Sequence, residues 1–137
     1  MIVVDTGVIL AVADGADADH DRCDELLAGY SGRKLLVPVT VIVESSWLIE
    51  DRLGPVAEAA FLRSFPASEL TRVDLSEPDW ERVVELIETY ADLGLGLVDA
   101  SIVAVAERLE ITTLATLNHR DFTVVRPRHT DAFELLP

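Results

Sequence analysis

The segment Ile2-Val3-Val4-Asp5-Thr6-Gly7-Val8-Ile9-Leu10-Ala11-Val12-Ala13 contains two apolar runs separated by a short polar break. The first run, 2–5, is β-branched and ends in a charge, which is typical of a short buried strand. The second run, 8–13, predicts a helix that follows this strand. A strand that leads into a helix is the repeating unit of α/β proteins, so this segment predicts the fold class.

The same alternation of short strands and helices continues along the chain. Further strands are predicted at 35–37, 70–73, 112–115 and 124–125. Further helices are predicted from about 20 to 30, from Thr40 as cap to 53, and at 55–65, 80–91 and 100–109. The pattern predicts a single α/β domain over residues 1–137, with a short-stranded, mostly parallel sheet covered by helices on both faces.

Local signals mark where several of these helices begin and end. Asp17 or Asp19 is predicted to cap the second helix, and Gly29 or Gly32 to end it. Ser76 and Asp79 have the spacing of an acidic capping box. The helix that follows this box carries an apolar stripe at Trp80, Val83, Val84, Ile87 and Ala91.

The composition indicates a soluble protein of a reducing compartment. Half of the 137 residues are hydrophobic and the mean hydropathy is +0.29. No run approaches the roughly 18 apolar residues of a membrane span, and the first residues lack a secretory signal. The single cysteine, Cys23, cannot form an internal disulfide. We therefore expect a cytoplasmic protein without a membrane partner.

The charge is strongly negative. Lys and Arg number 11 against 25 Asp and Glu, which gives a formal net charge of -14. This balance opposes bulk electrostatic attraction to nucleic acid or anionic lipid, and solubility alone explains much of it. The objection to a nuclease is weaker if several acids hold metal ions and the basic residues cluster locally.

Polar residues occur at four separate places in apolar surroundings, namely Asp5, Glu44, Asp99 and the pair Asn118 and Asp121. An ionised carboxylate is costly to remove from water unless a positive group compensates it. Ligands bind beyond the carboxyl ends of strands in open parallel sheets, and the predicted elements place these residues at that edge. We therefore expect their side chains to converge.

Each acid also has an ordinary structural interpretation. Asp5 and Asp99 both precede predicted helices and would serve as N-caps. Glu44 lies in the segment 39–49, which has no other charge and includes Trp47, so we expect little solvent-facing surface around it. A buried Glu44 would be protonated or paired with an arginine. The functional interpretation depends on the acids coming together.

Converging carboxylates predict a metal site. Like charges repel, and shared protons or bound cations relieve the repulsion. Ligand sets made only of oxygen favour Mg²⁺ or Mn²⁺, whereas one cysteine and scattered histidines make Zn²⁺ a poor candidate. Such ions activate water and neutralise charge at phosphodiesters, which points to a nuclease.

Other common chemistries lack their sequence motifs. The chain has no Gly-rich phosphate loop with Lys-Ser/Thr, no G-x-G-x-x-G after the first strand and no G-x-S-x-G elbow. Cys23 is not paired with metal-ligand histidines. A receiver-like α/β domain phosphorylated at Asp5 remains an alternative.

Four segments, in this order, resemble the PIN-domain ribonucleases, specifically the VapC-type toxins of bacterial toxin-antitoxin pairs. They are Val3-Val4-Asp5-Thr6-Gly7-Val8, Val41-Ile42-Val43-Glu44, the stretch 90–101 that ends Val98-Asp99-Ala100-Ser101, and Ala115-Thr116-Leu117-Asn118-His119-Arg120-Asp121-Phe122. Together they span essentially the whole chain. The resemblance implies a PIN-like three-layer α/β/α fold and a Mg²⁺- or Mn²⁺-dependent endoribonuclease.

The resemblance also implies roles for individual residues. Asp5, Glu44 and Asp99 match the metal-binding acids, and Thr6 and Thr116 match polar residues near the metal. Asn118 stands where the family usually has a fourth acid. An amide offers a carbonyl oxygen without charge, so a second metal would be held more weakly.

Two further acids could replace the acid that is missing at position 118. Asp121 or Asp92 is an alternative fourth acid in place of Asn118. Asp92 is otherwise a residue that supports the site from behind the metal ligands, or an acid at a helix end.

The partners expected from this resemblance are RNA, an antitoxin and a second copy of the chain. The RNA would be single-stranded or looped. Arg120, Arg126 and Arg128 form the densest basic patch, which would steer RNA or consist of ordinary surface charges.

The antitoxin would lay an apolar segment in a groove and direct an Arg or Lys toward the acids. The first two helices and the hairpin around Trp47 and Phe61 would line this groove, unless those residues belong to the core. The apolar helix 100–109 is compatible with a buried homodimer interface.

Rival functions follow from the same features. Asn118 and the charge of -14 also suit a PIN-like module that binds RNA or protein with weak or no cleavage. A stand-alone RNA-processing nuclease without an antitoxin is another alternative.

Overall fold

The computed structural model describes residues 1–30 and 34–137, and these form a five-stranded sheet flanked by helices. Its strands are β1 (Ile2–Val4), β2 (Leu35–Pro38), β3 (Thr71–Val73), β4 (Thr113–Ala115) and β5 (Glu134–Leu136). The strand order is β3-β2-β1-β4-β5, and every pairing is parallel. The predicted α/β class is confirmed.

Helices fill the connections between these parallel strands. They are α1 (Thr6–Ala13), α2 (His20–Gly29), α3 (Val39–Leu53), α4 (Pro55–Arg63), α5 (Glu77–Thr89), α6 (Leu97–Arg108) and α7 (His119–Val124), with a 3-10 turn at Ala91–Leu93. The chain winds from β1 out to β3 and then returns to β4 on the other side of β1. Right-handed crossovers therefore place the two sets of helices on opposite faces of the sheet, giving three layers.

The core lies between this sheet and its helices. All three residues of β1 are buried, and so is every residue of α6 from Ala100 to Ala106. Ile102 is completely buried, and burial of such a side chain contributes about 1.5–3 kcal/mol. The core of the domain therefore explains why α6 is apolar, and the interpretation of this helix as a homodimer interface is wrong.

Several predicted boundaries differ from those observed. Val124 ends α7 and is not in a strand, while β5 lies ten residues further on, at Glu134–Leu136. The side chain of Asn118 accepts a hydrogen bond from the Asp121 amide, and this N-cap begins α7, a helix that was not predicted. Gly29 ends α2, and Gly32 lies outside the described residues.

The starts of α3 and α6 also differ. Helix α3 begins at Val39 directly after Pro38, so Thr40 is not its cap. Gly96 precedes α6, which places Asp99 in the first helical turn, so the N-cap interpretation of Asp99 is wrong. An acid in the first turn still lies near the positive end of the helix dipole.

The capping box of α5 is confirmed, although the apolar stripe is shifted. Ser76 Oγ accepts from the Asp79 amide, and Asp79 Oδ2 accepts from the Ser76 amide. The helix buries Val83 and Leu86, whereas Trp80 and Val84 are exposed. Within the described residues, no helix has the length and apolar character required to cross a membrane.

Candidate active site

Asp5 lies where β1 ends and α1 begins, and two hydrogen bonds orient its carboxylate. Oδ1 accepts from the Thr6 amide at 2.7 Å, and Oδ2 accepts from Thr116 Oγ1 at 2.7 Å. Thr116 directly follows β4, the neighbour of β1 in the sheet. Asp5 is the N-cap of α1, as its structural interpretation predicted. Its carboxylate also lies at the edge where the winding of the sheet reverses, which is the position expected of a ligand-binding acid.

Asn118 connects two acids at the same edge. Its Nδ2 donates to Asp121 Oδ2 at 3.0 Å and, at 3.5 Å, to Asp99 Oδ2. Its carbonyl oxygen accepts from the Asp121 amide. The Asn118 amide therefore presents its donor side, and not its carbonyl oxygen, to Asp99. It stabilises the carboxylates and adds no charge to the cluster.

Glu44 lies one turn into α3, and its side chain is exposed. Its neighbours Val43 and Trp47 are 65% and 64% exposed. The expectation that this part of the helix has little solvent-facing surface is therefore wrong, and so is a core role for Trp47. Solvent exposure leaves the Glu44 side chain free to change rotamer.

Asp5, Glu44, Asp99 and Asn118 line one open cleft of about 470 Å³ at the carboxyl edge of the sheet. The remaining lining residues are Thr6, Gly7, Leu10, Leu48 and Leu117. Among the described residues, no lysine, arginine or histidine forms an ion pair with Asp5, Glu44 or Asp99. The structure therefore brings Asp5, Glu44, Asp99 and Asn118 to one cleft without a protein counter-charge, and Asp121 does not line that cleft.

The electrostatics of this cleft are unfavourable for negative charge. Burial raises the pKa of Asp5, against the lowering effect of its hydrogen bonds to Thr116 and Thr6, and the nearby Glu44 charge raises it further. Burial, then the charges of Asp5, Asp121 and Glu44, raise the pKa of Asp99 to about 6. Such mutual repulsion is what a bound cation relieves.

The donors fit a hard cation in kind, but they are not a preassembled ligand set. Asp5 and Asp99 are fixed by hydrogen bonds, whereas Glu44 extends from an exposed helix face. Across residues 1–30 and 34–137, no group of three or more His, Cys, Asp or Glu side chains is arranged to hold a metal. Thr6 Oγ1 is buried in the same region and has no partner, so it is available to a water or ion ligand.

Three residues predicted to support the site do not line the cleft in the described chain. Asp92 is exposed on the 3-10 turn. Asp121 lies behind Asn118 and acts on Asp99 through its charge. Arg120 is exposed and pairs with Asp121, with Nε 3.1 Å from Oδ1.

The other two arginines of the basic patch contact neighbouring residues on the protein surface. Arg126 Nη1 donates to the Thr123 carbonyl, and Arg128 Nη2 lies 2.6 Å from Glu85 Oε2. These contacts favour the interpretation of the patch as ordinary surface charge.

One contact between site helices was not apparent from the sequence. Thr40 Oγ1 of α3 is hydrogen-bonded to Ser101 Oγ of α6, which also donates to the Val98 carbonyl at 2.7 Å. Thr40 is one turn before Glu44, and Ser101 is two residues after Asp99. This contact joins the two helices that carry these acids. Hydroxyl residues at such positions are too common for a sequence to reveal the pair.

Ser101→Ala is expected to loosen this junction. The fully buried hydroxyl would be lost, with a stability cost of about 1 kcal/mol, and Mn²⁺ affinity should fall about tenfold, the low end for loss of a supporting contact. Ser46→Ala is the matched control, because Ser46 Oγ bonds Glu58 on α4 and not a site helix. Thermal melting and calorimetric Mn²⁺ titration measure both effects. Equal Mn²⁺ affinity in the two variants would contradict a positioning role.

The charge cluster also predicts an unusual pH dependence for the metal-free protein. An acid with a folded pKa of about 6 against an ordinary 3.8 binds its proton more tightly in the folded state. The stability associated with Asp99 is therefore present at low pH and is lost as pH rises from about 4 to 6. Asp99→Asn should match the wild type near pH 4 and be more stable above pH 6. Melting curves in EDTA test this, and a difference that does not change with pH would contradict it.

Comparison with known proteins agrees with this architecture. The PIN domain family model matches residues 2–126. The chain belongs to the PIN domain family. The resemblance drawn from the sequence is thereby confirmed, and the receiver-like alternative is wrong.

Individual PIN proteins resemble the chain over most of its length. Ribonuclease VapC26 of Mycobacterium tuberculosis is 29% identical over 136 residues, which cover 99% of this chain and all of the relative. The crystal structure of VapC20 from M. tuberculosis, described as a toxin that cleaves the sarcin-ricin loop, superposes with a TM-score of 0.75 at 21% identity, covering 83% of this chain and 87% of that one. A toxin-antitoxin complex from Klebsiella pneumoniae gives a TM-score of 0.70 at 21% identity, covering 91% and 92%.

Proposed function

We propose that this PIN domain is a Mg²⁺- or Mn²⁺-dependent endoribonuclease and the toxin of a VapC-type toxin-antitoxin pair. The observation that carries the proposal is the cleft that Asp5, Glu44 and Asp99 line without a protein cation. The full-length likeness to a protein named as a ribonuclease supports RNA as the substrate.

In this proposal Asp5, Glu44 and Asp99 hold the metal. A carboxylate-bound Mg²⁺ or Mn²⁺ supplies an activated water and neutralises charge on the phosphodiester. Thr116 and the Thr6 amide keep the Asp5 carboxylate aimed into the cleft, and Asn118 restrains Asp99. The exposed Glu44 side chain would complete the ligand set by a change of rotamer.

An antitoxin partner is supported by an apolar groove on another part of the surface. The groove has a volume of about 380 Å³ and is formed by α1, α2, β2 and α4. Its apolar lining includes Ile9, Val12, Leu27, Ala60 and Phe61. An apolar antitoxin segment would cover these side chains, as in helix-in-groove recognition. Trp47, expected near this groove, does not line it.

The decisive experiment measures cleavage of structured RNAs carrying single-stranded loops, with Mn²⁺, with Mg²⁺ and with EDTA. We expect cleavage that either ion supports and EDTA stops. Asp92→Asn is the charge-matched control for Asp99→Asn. Asp92 is exposed and does not line the cleft, so the Asp92→Asn protein should remain active. RNA binding without metal-dependent cleavage would instead support the non-cleaving module. Co-expression with the product of a small adjacent reading frame tests the antitoxin separately.

A further inference from the structure

We propose that β5, through the backbone carbonyl of Leu136, is a positioning element for the Asp5 carboxylate. This inference rests on one part of the proposed function, the role of Asp5 as a metal ligand. The match to the PIN domain family model ends at residue 126, so β5 lies beyond the matched residues. Thr116 connects this strand to the site, because it is hydrogen-bonded to β5 on one side and to Asp5 on the other.

Thr116 is completely buried, and each of its polar groups has a partner. Its Oγ1 donates to Asp5 Oδ2 at 2.7 Å, and its amide donates to the Leu136 carbonyl at 2.8 Å. The same Oγ1 accepts from the Asn118 amide at 3.0 Å, and the Thr116 carbonyl accepts from His119 Nε2 at 3.0 Å. The Thr116 side chain therefore holds Asp5 in one geometry as long as the backbone of residue 116 is itself fixed.

The pairing with β5 makes β4 an interior strand. β4 contains three residues, and each of them is paired with a residue of β5. The bond from the Thr116 amide to Leu136 continues this parallel ladder one residue past the end of β4, to the residue that contacts Asp5. On its other side β4 pairs with β1, and the Asp5 amide donates to the Ala115 carbonyl at 2.9 Å. Without β5, Thr116 would lie at an open sheet edge, where strand ends open most easily.

Contacts at the start of β5 fix its register against β4. The Glu134 amide donates to the Thr112 carbonyl at 2.9 Å, and Glu134 Oε2 accepts from Thr113 Oγ1 at 2.9 Å. Phe133, directly before the strand, is buried in the core. A shift by one residue would break these bonds and turn the strand over, which moves the Leu136 carbonyl away from Thr116. The register of β5 therefore determines where the backbone of Thr116 lies.

The strand at the opposite edge of the sheet provides an internal comparison. β3 also contains three residues, and its last residue, Val73, packs against the core as Leu136 does. β3 is paired with β2, whereas β5 is paired with β4, the strand that leads to Thr116. A strand that only closes the sheet should affect stability alone. A strand that positions Asp5 should also affect the binding of metal.

The Mn²⁺ affinity of two matched edge variants tests the proposal. Leu136→Gly removes an apolar side chain and frees the backbone at the end of β5, and Val73→Gly makes the same type of change in β3. Both variants should have a lower Tm. Only Leu136→Gly should raise the calorimetric Kd for Mn²⁺, by about tenfold, the low end for loss of support behind a metal ligand. Leu136→Ile retains an apolar side chain that favours a strand and should bind Mn²⁺ like the wild type.

Amide hydrogen exchange measures the connecting bond directly and requires neither metal nor RNA. In the metal-free wild type the Thr116 amide should exchange slowly, because the Leu136 carbonyl accepts from it. Leu136→Gly should accelerate this exchange more than that of the Ile102 amide in the buried helix α6. Val73→Gly should not accelerate Thr116 more than Ile102.

The possible outcomes separate this inference from the proposed function. A wild-type protein that binds no Mn²⁺ and cleaves no RNA would overturn both. Mn²⁺ binding with the expected difference between the variants, but without RNA cleavage by the wild type, would overturn only the ribonuclease. Mn²⁺ binding by the wild type with the same Kd in Leu136→Gly and Val73→Gly would overturn the positioning role alone. If Leu136→Gly does not fold, Leu136→Ala and Val73→Ala give the same comparison with a smaller change in the backbone.

Discussion

Asp99→Asn is expected to reduce metal-dependent RNA cleavage by about a hundredfold or more, while leaving the fold intact. The substitution preserves the shape of the side chain and removes one of three negative charges that face the cleft. Asp99 is held at the start of α6 by the Asn118 amide, and an asparagine there would offer one neutral oxygen to the cation. Metal affinity and the neutralisation of the phosphate would fall together.

The measurement is single-turnover cleavage over a range of Mn²⁺ concentrations. A weakened metal site shows a higher Mn²⁺ requirement, and excess Mn²⁺ restores part of the rate. Asp92→Asn removes the same charge from the exposed 3-10 turn and should cleave like the wild type. If both variants retained full activity at low Mn²⁺, the assignment of Asp99 as a metal ligand would be wrong.

Local chemistry explains which parts of this site could be predicted. Asp5 follows a β-branched run, and that local pattern places it at the carboxyl end of a strand. The box of Ser76 and Asp79 is likewise set by residues three apart. These two features depend on a few consecutive residues, and both were predicted correctly.

Features that depend on tertiary packing were not predicted correctly. The segment around Glu44 is rich in apolar residues, yet α3 turns Val43 and Trp47 to solvent because the sheet and its neighbouring helices cover only the other side of it. Composition cannot distinguish an apolar face that is packed from one that is exposed. The donor role of Asn118 depends on Asp99, nineteen residues away, and no local pattern reveals it.

The position of β5 illustrates a second limit. Val124 and Val125 have the composition of a strand, but the Asn118 cap extends the helix through Val124. The observed strand, Glu134–Leu136, contains one charge and two leucines, and it forms because β4 leaves an unpaired edge. Pairing with β4 therefore determines where β5 forms, and the strand propensity of residues 134–136 does not.

Asp79→Ala is expected to cause a large loss of stability, about 2 to 3 kcal/mol. Asp79 is 3% exposed, and its Oδ2 accepts from both the Ser76 amide and Arg108 Nε, each at 2.9 Å. The carboxylate therefore caps α5 and joins it to the last turn of α6, which carries the Asp99 site at its other end. Arg108 is partly exposed, and its Nη2 also donates to the Asp74 carbonyl, so water and this bond limit the cost.

Thermal and urea unfolding of matched variants measure this contribution. For a domain of this size the loss corresponds to a Tm decrease of roughly 6 to 12 °C. Glu77→Ala removes an exposed acid from the same first turn and should cost only a few tenths of a kcal/mol through the helix dipole. In a double-mutant cycle with Arg108→Ala, the coupling should exceed about 0.5 kcal/mol, because the two groups share one contact. Equal losses for Asp79→Ala and Glu77→Ala, with no coupling to Arg108, would mean that desolvation of the carboxylate cancels everything it gains from its two partners.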